Sequence, residues 1–530
     1  MIEKYAIFFL LPFEHKVLCV YEINSVIRVA LNHKLQPNQE VVCISFDDYL
    51  HCIKNTNNLP KKVFDINIAM RILCGEPASK YNNENAPWKG ISCLGKHIND
   101  NVVFAALKSI EKGKYGNYKD WIKNLPIGWE HLLINALKCE HQRLIAELKK
   151  EGVFEQFVKV EMELKCVFAK TGIRGIEINT DKLNSKYCEL DIEYFKAVKI
   201  LEIQYGFNVD SQPGKLSFKD IKNYVTEFSS EDFSKKYFWE TIEFMQESSE
   251  FLKNLLIEYR NRRDLAELER ISSSISQNCR IEYDIFGTVS GRILLTRPGI
   301  QYLKRTSRDI FIPTEGFEFI YADYAQFEPG ILASFSGDNK LMDLYNSGDV
   351  YTGLANEIGG ACSRKIAKEL FLSFIYGMTK DNIRRKIVNK FGDLAGNSAD
   401  SFFNQFDLVN KWKTEIINAA KINKIVKGPF SYLRRVSSDD TDNDIEHWAP
   451  NHFIQSTASG IFKKALCKIA TQLKECKMLV PMHDAILLEC PVTQTNETRK
   501  QIENIMIDCF QETCTGIKVR ISFEPFAYDI

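Results

Sequence analysis

The sequence predicts an α+β protein of several domains, and three observations carry that prediction. Its 530 residues amount to roughly three or four domains at about 150 residues each. Hydrophobic residues make up 45% and aromatic residues 12%, enough to fill several cores. The texture also changes along the chain, from mixed strands and helices to long amphipathic helices, then strands and turns, then helices again. The charged fraction of 26% is ordinary for soluble domains and excludes a disordered, fibrous or collagen-like chain. Lys+Arg and Asp+Glu both number 69, a formal net charge of zero. A uniformly basic nucleic-acid coat is excluded. A basic groove balanced by acidic surface elsewhere is not, because net charge is silent on distribution.

Taken in order, residues 5–13 (YAIFFLLPF) read as a buried strand rather than a signal peptide, since no small-residue cleavage site follows. No segment reaches the ~18 apolar residues that span a bilayer. Residues 16–22 and 40–46 read as strands and 64–75 as a helix ended by Gly75, an α/β pattern. Residues 77–90 read as a loop, and 129–170 as helix broken at Gly152. In TGIRGIEINTDKL a short strand pair feeds a helix capped at Thr180 or Asp181. Residues 183–275 read as long, charged, amphipathic helices, 280–345 as strands and turns, and 350–435 as helices. An acidic loop is expected over 437–446, a helix over 449–475, a hairpin over 477–492, then a last helix and strand. Fifteen cysteines form no CxxC and sit in apolar stretches, as in reduced core positions of a cytoplasmic protein.

Chemistry concentrates in four segments. In FIYADYAQFEPGILASFSGD, an apolar run ends at Asp323 and Glu328 follows. A carboxylate ending a buried strand is costly unless it is paired or binds a metal. In VPMHDAILLEC, two apolar runs flank His483-Asp484, a hairpin with an aspartate at its turn. Two such carboxylates side by side could hold Mg²⁺ ions, lowering the pKa of an attacking hydroxyl and neutralising a leaving phosphate. Taken alone, each aspartate reads equally well as a cap or turn residue. Between them, Arg364, Lys368, Leu372 and Tyr376 recur every four residues and form one slanted helical stripe, cationic and then apolar. That stripe suits a nucleoside triphosphate; alone it also suits an ordinary amphipathic helix. The fourth segment, 288–308, carries Arg292, Arg297, Lys304, Arg305 and Arg308 without an acid until Asp309. It could track a phosphate backbone or be a solvated loop.

The order of these segments is more specific than any one of them. SGR, then DYAQFE, then R…K…YG, then QSTAS, then MHDAILLE resembles the bacterial DNA polymerase I family (family A) across residues ~155 to 530. FNVDSQPGKL at 207–216 and LIEYRNRRDL at 256–265 are similar to the thumb that grips duplex DNA in that family. The resemblance implies a right-hand polymerase: a palm of antiparallel sheet, helical fingers and a helical thumb, on an α/β ribonuclease-H-like, exonuclease-type N-terminal domain. The expected boundaries are 1–150 for the exonuclease-like domain and 151–278 for linker helices and thumb. The palm is expected over 279–349 and 441–530, with fingers over 350–440. The resemblance implies two Mg²⁺ ions on Asp323, Asp484 and the Tyr324 carbonyl, and a triphosphate on Arg364 and Lys368, the latter also general acid to pyrophosphate. Leu372, Tyr376 and Gln326 would adjoin the nucleotide. Glu328 would crowd a ribose 2′-hydroxyl. Arg292, Asn451, Gln455, His483 and Arg308 would contact DNA. The partners implied are primer–template DNA and dNTPs, with no membrane, in a cytoplasmic monomer. A processivity partner is left open.

The chain also departs from the family pattern. Leu372 stands where an aromatic is common, Phe371-Leu372-Ser373 replaces Asn-Phe-Gly, Ala485 follows the HD pair where an acid is frequent, Tyr351 replaces a phosphate-contacting histidine, and Pro329 follows the gate glutamate. These point to a divergent, phage-encoded member. Asp65 matches an acidic position of the exonuclease domain, but no DxE occurs in the first strands and Tyr115 is followed by Lys119, so that site is expected to be inactive. The competing readings are a single-subunit RNA polymerase, a catalytically silent nucleic-acid-binding protein and a hydrolytic nuclease.

Overall fold

The computed structural model describes residues 6–7, 9–13, 16–23, 26–31, 40–50, 56, 59–81, 86–111, 125–209, 216–226, 238–274, 278–359 and 362–528. Tyr115, Lys119 and most of the 207–216 segment lie outside them.

Residues up to about 150 build two small sheets and helices. Strands Ala6–Ile7, Glu40–Cys43 and Lys62–Asp65 pair in parallel, and Phe9–Phe13, Lys16–Ile23 and Val26–Leu31 form an antiparallel meander. The helix expected from 64 begins later. Phe64 and Asp65 end a strand, and the Asp65 carboxylate caps helix Ile66–Cys74 by accepting from the Ile68 amide at 3.1 Å. Gly75 closes that helix at φ 65°, a left-handed turn that glycine adopts without a Cβ penalty.

Helix Trp129–Lys150 gives way at Gly152 to a π-helical turn, Phe157–Glu161, and helix Met162–Arg174. A single strand follows, Glu177–Ile178, paired with Phe311–Ile312 rather than with a neighbour in sequence. The cap of helix Thr180–Tyr205 is Asn179, accepting from the Lys182 amide at 2.9 Å, one residue earlier than expected. Helix Glu250–Ser274 packs along it. The segment between them closes a separate apolar cluster around Leu201, Phe207, Ile242, Phe251 and Leu255.

A four-stranded antiparallel sheet, in the order Lys477–Met482, Ala485–Pro491, Phe317–Ala325, Arg520–Phe523, centres the rest of the chain. The pleat sends alternate side chains to opposite faces. Tyr324 enters the core, stacking on Phe327 at 4.2 Å and donating to the Met506 carbonyl at 2.7 Å. Asp323 therefore faces the other way.

Helices Phe327–Ser336 and Asn339–Ser347 occupy the end of the stretch expected as strands and turns. Helices from Val350 to Asn423 follow, and a hairpin, Ile425–Lys427 with Leu433–Arg435, interrupts the expected helical span. The acidic stretch is only partly loop. Thr441 and Asp444 form a reciprocal capping box that opens helix Asp442–Gln472, where acids favour the N-terminal dipole. Pro450, a residue at home in a first turn, sits inside that helix. Among the described residues no helix is long and apolar enough to cross a membrane.

Candidate active site

A cleft of about 640 Å³ opens above the exposed face of the four-stranded sheet. Asp323, at the end of its strand, pairs in register with Ala485 on one side and Ser522 on the other. The hairpin turn holds His483 at φ 52° and brings Asp484 beside the central strand, where the Tyr324 amide donates to the Asp484 carbonyl at 3.3 Å. Both predicted aspartates thus line one wall, though they lie far apart in the sequence. Burial pushes the Asp323 carboxyl up to about 6, against the opposing pull of Lys368 and with a further push from Glu524. Burial, with repulsion from Asp323 and Glu328, raises Asp484 well above the usual carboxylate range.

The opposite wall is helix Arg364–Ile375. Arg364, Lys368, Leu372 and Tyr376 all reach the cleft, as the four-residue spacing requires. Tyr376 is the C-cap of that helix rather than part of its body. Arg364 pairs with Asp349 and lies 5.4 Å over the Tyr351 ring. Glu328 is fixed from two sides: Arg292 Nη2 donates to Oε1 at 2.7 Å and the Tyr376 hydroxyl to Oε2 at 2.6 Å. Pro329 fits because it lies in the first turn of helix Phe327–Ser336, where the amide it lacks has no intrahelical partner. Gln326, at φ 55°, lines the cleft, but its side-chain Oε1 accepts from the Val350 amide at 2.8 Å and so joins the sheet to helix Val350–Ile358.

Three expected contact residues do not line the cleft. Asn451 and Gln455 lie on helix Asp442–Gln472 on the same stripe as Ala458, which does. They extend the wall one and two turns outward. Arg308 is buried beside the cleft rather than lining it, its Nε donating to the Leu303 carbonyl at 3.1 Å and its guanidinium 5.3 Å over Phe526. The basic stretch 288–308 is likewise not one continuous surface. Lys304 donates to Asn261 at 2.6 Å, Arg292 pairs with Glu328 and Arg305 with Glu524, and of the cations in that run Arg297 is the exposed one.

Arg305, one cation of the basic run, lines the cleft, and Ser522 and Glu524 are cleft residues the sequence did not single out. Glu524 lies two residues past Ser522, the partner of Asp323 across the sheet. Its carboxylate is held by Arg305 Nη1 at 2.5 Å. No local motif marks it; only the strand pairing does.

The donor set of the aspartate wall is hard oxygen, and Asp323 Oδ1 is buried without a hydrogen-bond partner. A lone pair aimed into a cleft beside a second carboxylate suits Mg²⁺, which binds through one or two carboxylates and completes its shell with substrate oxygens and water. Consistent with so sparse a set, no cluster of three or more His, Cys, Asp or Glu among the described residues has the arrangement of a metal cage. The cleft joins two repelling carboxylates to a cationic helix, an arrangement suited to holding a polyphosphate against a metal-activated nucleophile.

The model of DNA polymerase family A matches residues 180–524 of the chain. DNA polymerase I of Bacillus caldotenax is 24% identical over 477 residues, 79% of this chain and 54% of that protein. DNA polymerase I of Aquifex aeolicus is 24% identical over 400 residues, 71% of this chain and 68% of that protein. DNA polymerase theta of Caenorhabditis elegans is 29% identical over 233 residues, 41% of this chain and 14% of that protein. The chain spans about half the length of the first of these relatives. A solved structure of the POL domain of Pol1 from M. smegmatis, in complex with DNA primer-template and dNTP, shares the fold: TM-score 0.70 at 15% identity, covering 96% of this chain and 92% of that one.

Proposed function

The chain belongs to DNA polymerase family A, and we propose that it is a template-directed DNA polymerase that extends a primer 3′ end with dNTPs by two-metal-ion nucleotidyl transfer. The observation that carries this reading is the single cleft joining Asp323 and Asp484 to Arg364, Lys368 and Glu328. In this reading the sheet Lys477–Phe523 with Phe317–Ala325 is the palm, residues 350–440 are the fingers and 175–278 the thumb. Asp323 and Asp484 would hold divalent ions, Mg²⁺ first, which lower the pKa of the primer hydroxyl and neutralise charge on the departing phosphates.

The chain's own residues do the rest. Arg364 and Lys368 bind the triphosphate, Arg364 exchanging its Asp349 partner for phosphate. Lys368 gives a proton to the leaving pyrophosphate. Glu328, fixed by Arg292 and Tyr376, stands where a 2′-hydroxyl would fall. Tyr376 and Leu372 border the incoming base, and Asn451, Gln455 and His483 face the primer–template. The N-terminal unit serves as support without proofreading. In favour of this, the Asp65 carboxylate is taken up by the Phe46 and Ile68 amides at 2.8 and 3.1 Å and is not free for a metal.

The test is extension of a 5′-labelled primer on a DNA template with Mg²⁺, run with dNTPs, with rNTPs and with no nucleotide. Extension with dNTPs alone and no shortening in the empty lane is expected. Asp323→Asn and Asp484→Asn should each lower extension by about 10²–10³-fold or more, the scale of losing a contact made in the transition state. Full activity in either variant would overturn the reading. Extension with rNTPs from no primer would move it to an RNA polymerase.

A further inference from the structure

Helix Arg364–Ile375 has three faces. One carries Arg364, Lys368 and Leu372 to the cleft. A second, with Ala367, Leu370, Phe371 and Phe374, is buried in the main core. The third carries Lys365, Ile366 and Glu369, and it meets a part of the molecule distant in sequence, the tip of the 180–274 helical unit. There Glu243 Oε1 sits 2.6 Å from Arg260 Nη2 of its own unit and 3.3 Å from Lys365 Nζ. Ile366 packs against the apolar cluster of that tip as well as against the main core, so one side chain bridges two otherwise separate cores. Glu369 lies close enough to Glu243 to be pushed up by it, after burial.

Resting on the reading above, in which this helix binds the triphosphate and the 180–274 unit grips the duplex, we propose that Glu243 is a positioning residue. Through Lys365, and with Ile366 packed beside it, Glu243 ties the tip of the duplex-gripping unit to the nucleotide helix across the mouth of the cleft and restrains that helix while no duplex is seated. The contact is small and partly exposed, with the Lys365 side chain 70% accessible, so it breaks readily. A duplex entering between the two units pushes the tip away and frees the helix to bring Arg364 and Lys368 onto a triphosphate. The restraint acts by population: while the helix is held, only a fraction of molecules is competent to bind nucleotide, and the apparent affinity falls by that fraction.

The test is equilibrium binding of dATP with Mg²⁺ to the full chain, with and without a dideoxy-terminated primer–template whose next template base is thymine. Lys365→Gln and Glu243→Gln should tighten dATP binding to the DNA-free protein by roughly two- to fivefold, the range an exposed ion pair supplies. Binding to the DNA complex should stay as in the unsubstituted protein, and Lys365→Arg should behave like the unsubstituted protein throughout. Hydrogen exchange of residues 364–375 in the DNA-free protein should quicken in the Gln variants and not in Lys365→Arg. Unchanged DNA-free affinity together with unchanged exchange overturns the proposal, and so does weaker binding in both states. If the unsubstituted protein binds no dATP even on primer–template, it is the polymerase reading that fails, and exchange alone still decides whether Glu243 restrains the helix.

Discussion

In the polymerase reading proposed above, Glu328 is the residue on which sugar discrimination would turn. Its carboxylate is buried and held by two donors, Arg292 and Tyr376. Removing it opens space for a 2′-hydroxyl but leaves the half-buried Arg292 without its carboxylate partner, which loosens that wall of the cleft. Glu328→Ala is therefore expected to raise ribonucleotide insertion relative to deoxyribonucleotide insertion by about tenfold or more and to lower dNTP kcat/KM as well. Glu328→Gln keeps an acceptor for both donors and should retain discrimination. Single-nucleotide insertion kinetics with dATP and rATP check this, and unchanged discrimination in Glu328→Ala would count against the gate. At this scale the sequence was informative where local pattern decides. Asp323 and Asp484 each close an apolar run, and the four-residue spacing of Arg364 to Tyr376 can put them on only one wall. Glu524 was not legible, because its nearness to Asp323 comes from strand pairing between residues 199 apart in the Ser522–Asp323 contact. Arg308 shows the converse: its charge is plain in the sequence, while its burial under Phe526 is a tertiary fact.

Helix Asp442–Gln472 is the element that connects most of the molecule, and an ion pair anchors its middle. Lys463 Nζ lies 2.6 Å from Glu161 Oε2, with both side chains fully buried. The Tyr432 hydroxyl also donates to Glu161. Glu161 belongs to the π-helical turn after Gly152, so this pair joins the sequence-distant linker to the helix that carries Asn451, Gln455 and Ala458. Lys463→Ala leaves Glu161 buried and uncompensated, and should destabilise the protein by about 3–5 kcal/mol. The double variant Lys463→Met with Glu161→Gln removes both charges and should recover most of that loss. Urea unfolding of the single and double variants measures the difference; equal loss in both would mean the pair is not what holds the turn. The element itself was legible, but its start was not. A capping box beginning at Thr441 lies within an acidic stretch that reads as loop, and the interior Pro450 reads as a first-turn residue. The break at Gly152 was visible, whereas the π turn beyond it depends on packing that no local pattern announces.

On the scale of the whole molecule, the N-terminal unit and the polymerase sheet form one continuous core. Ion pairs cross their boundary, Arg71 with Asp284 at 2.9 Å and buried Lys165 with Asp47. The charge of the cleft is therefore felt in global stability. Asp323, raised to about 6 by burial, binds its proton more tightly folded than unfolded, and Asp484 is raised in the same sense. For such groups the stabilising contribution is complete below the unfolded carboxylate value near 4 and is lost as pH rises through the folded value. With no divalent ion present, this pair should thus make the protein less stable at pH 8 than at pH 5, by roughly 1.4 kcal/mol from Asp323 alone, whose folded value lies about one unit above pH 5. A divalent ion that binds the folded cleft and not the unfolded chain offsets the repulsion, so the rise in Tm on adding millimolar Mg²⁺ should be larger at pH 8 than at pH 5. Asp323→Asn should be more stable than the unsubstituted protein at pH 8 without Mg²⁺, flatten the dependence between pH 5 and 7, and lose most of the Mg²⁺ response. Calorimetric melting across that pH range, with EDTA or with Mg²⁺, separates this from acid effects elsewhere, because only the cleft pair couples the pH slope to the metal. A Mg²⁺ response in Asp323→Asn equal to that of the unsubstituted protein would place the divalent site away from these two aspartates.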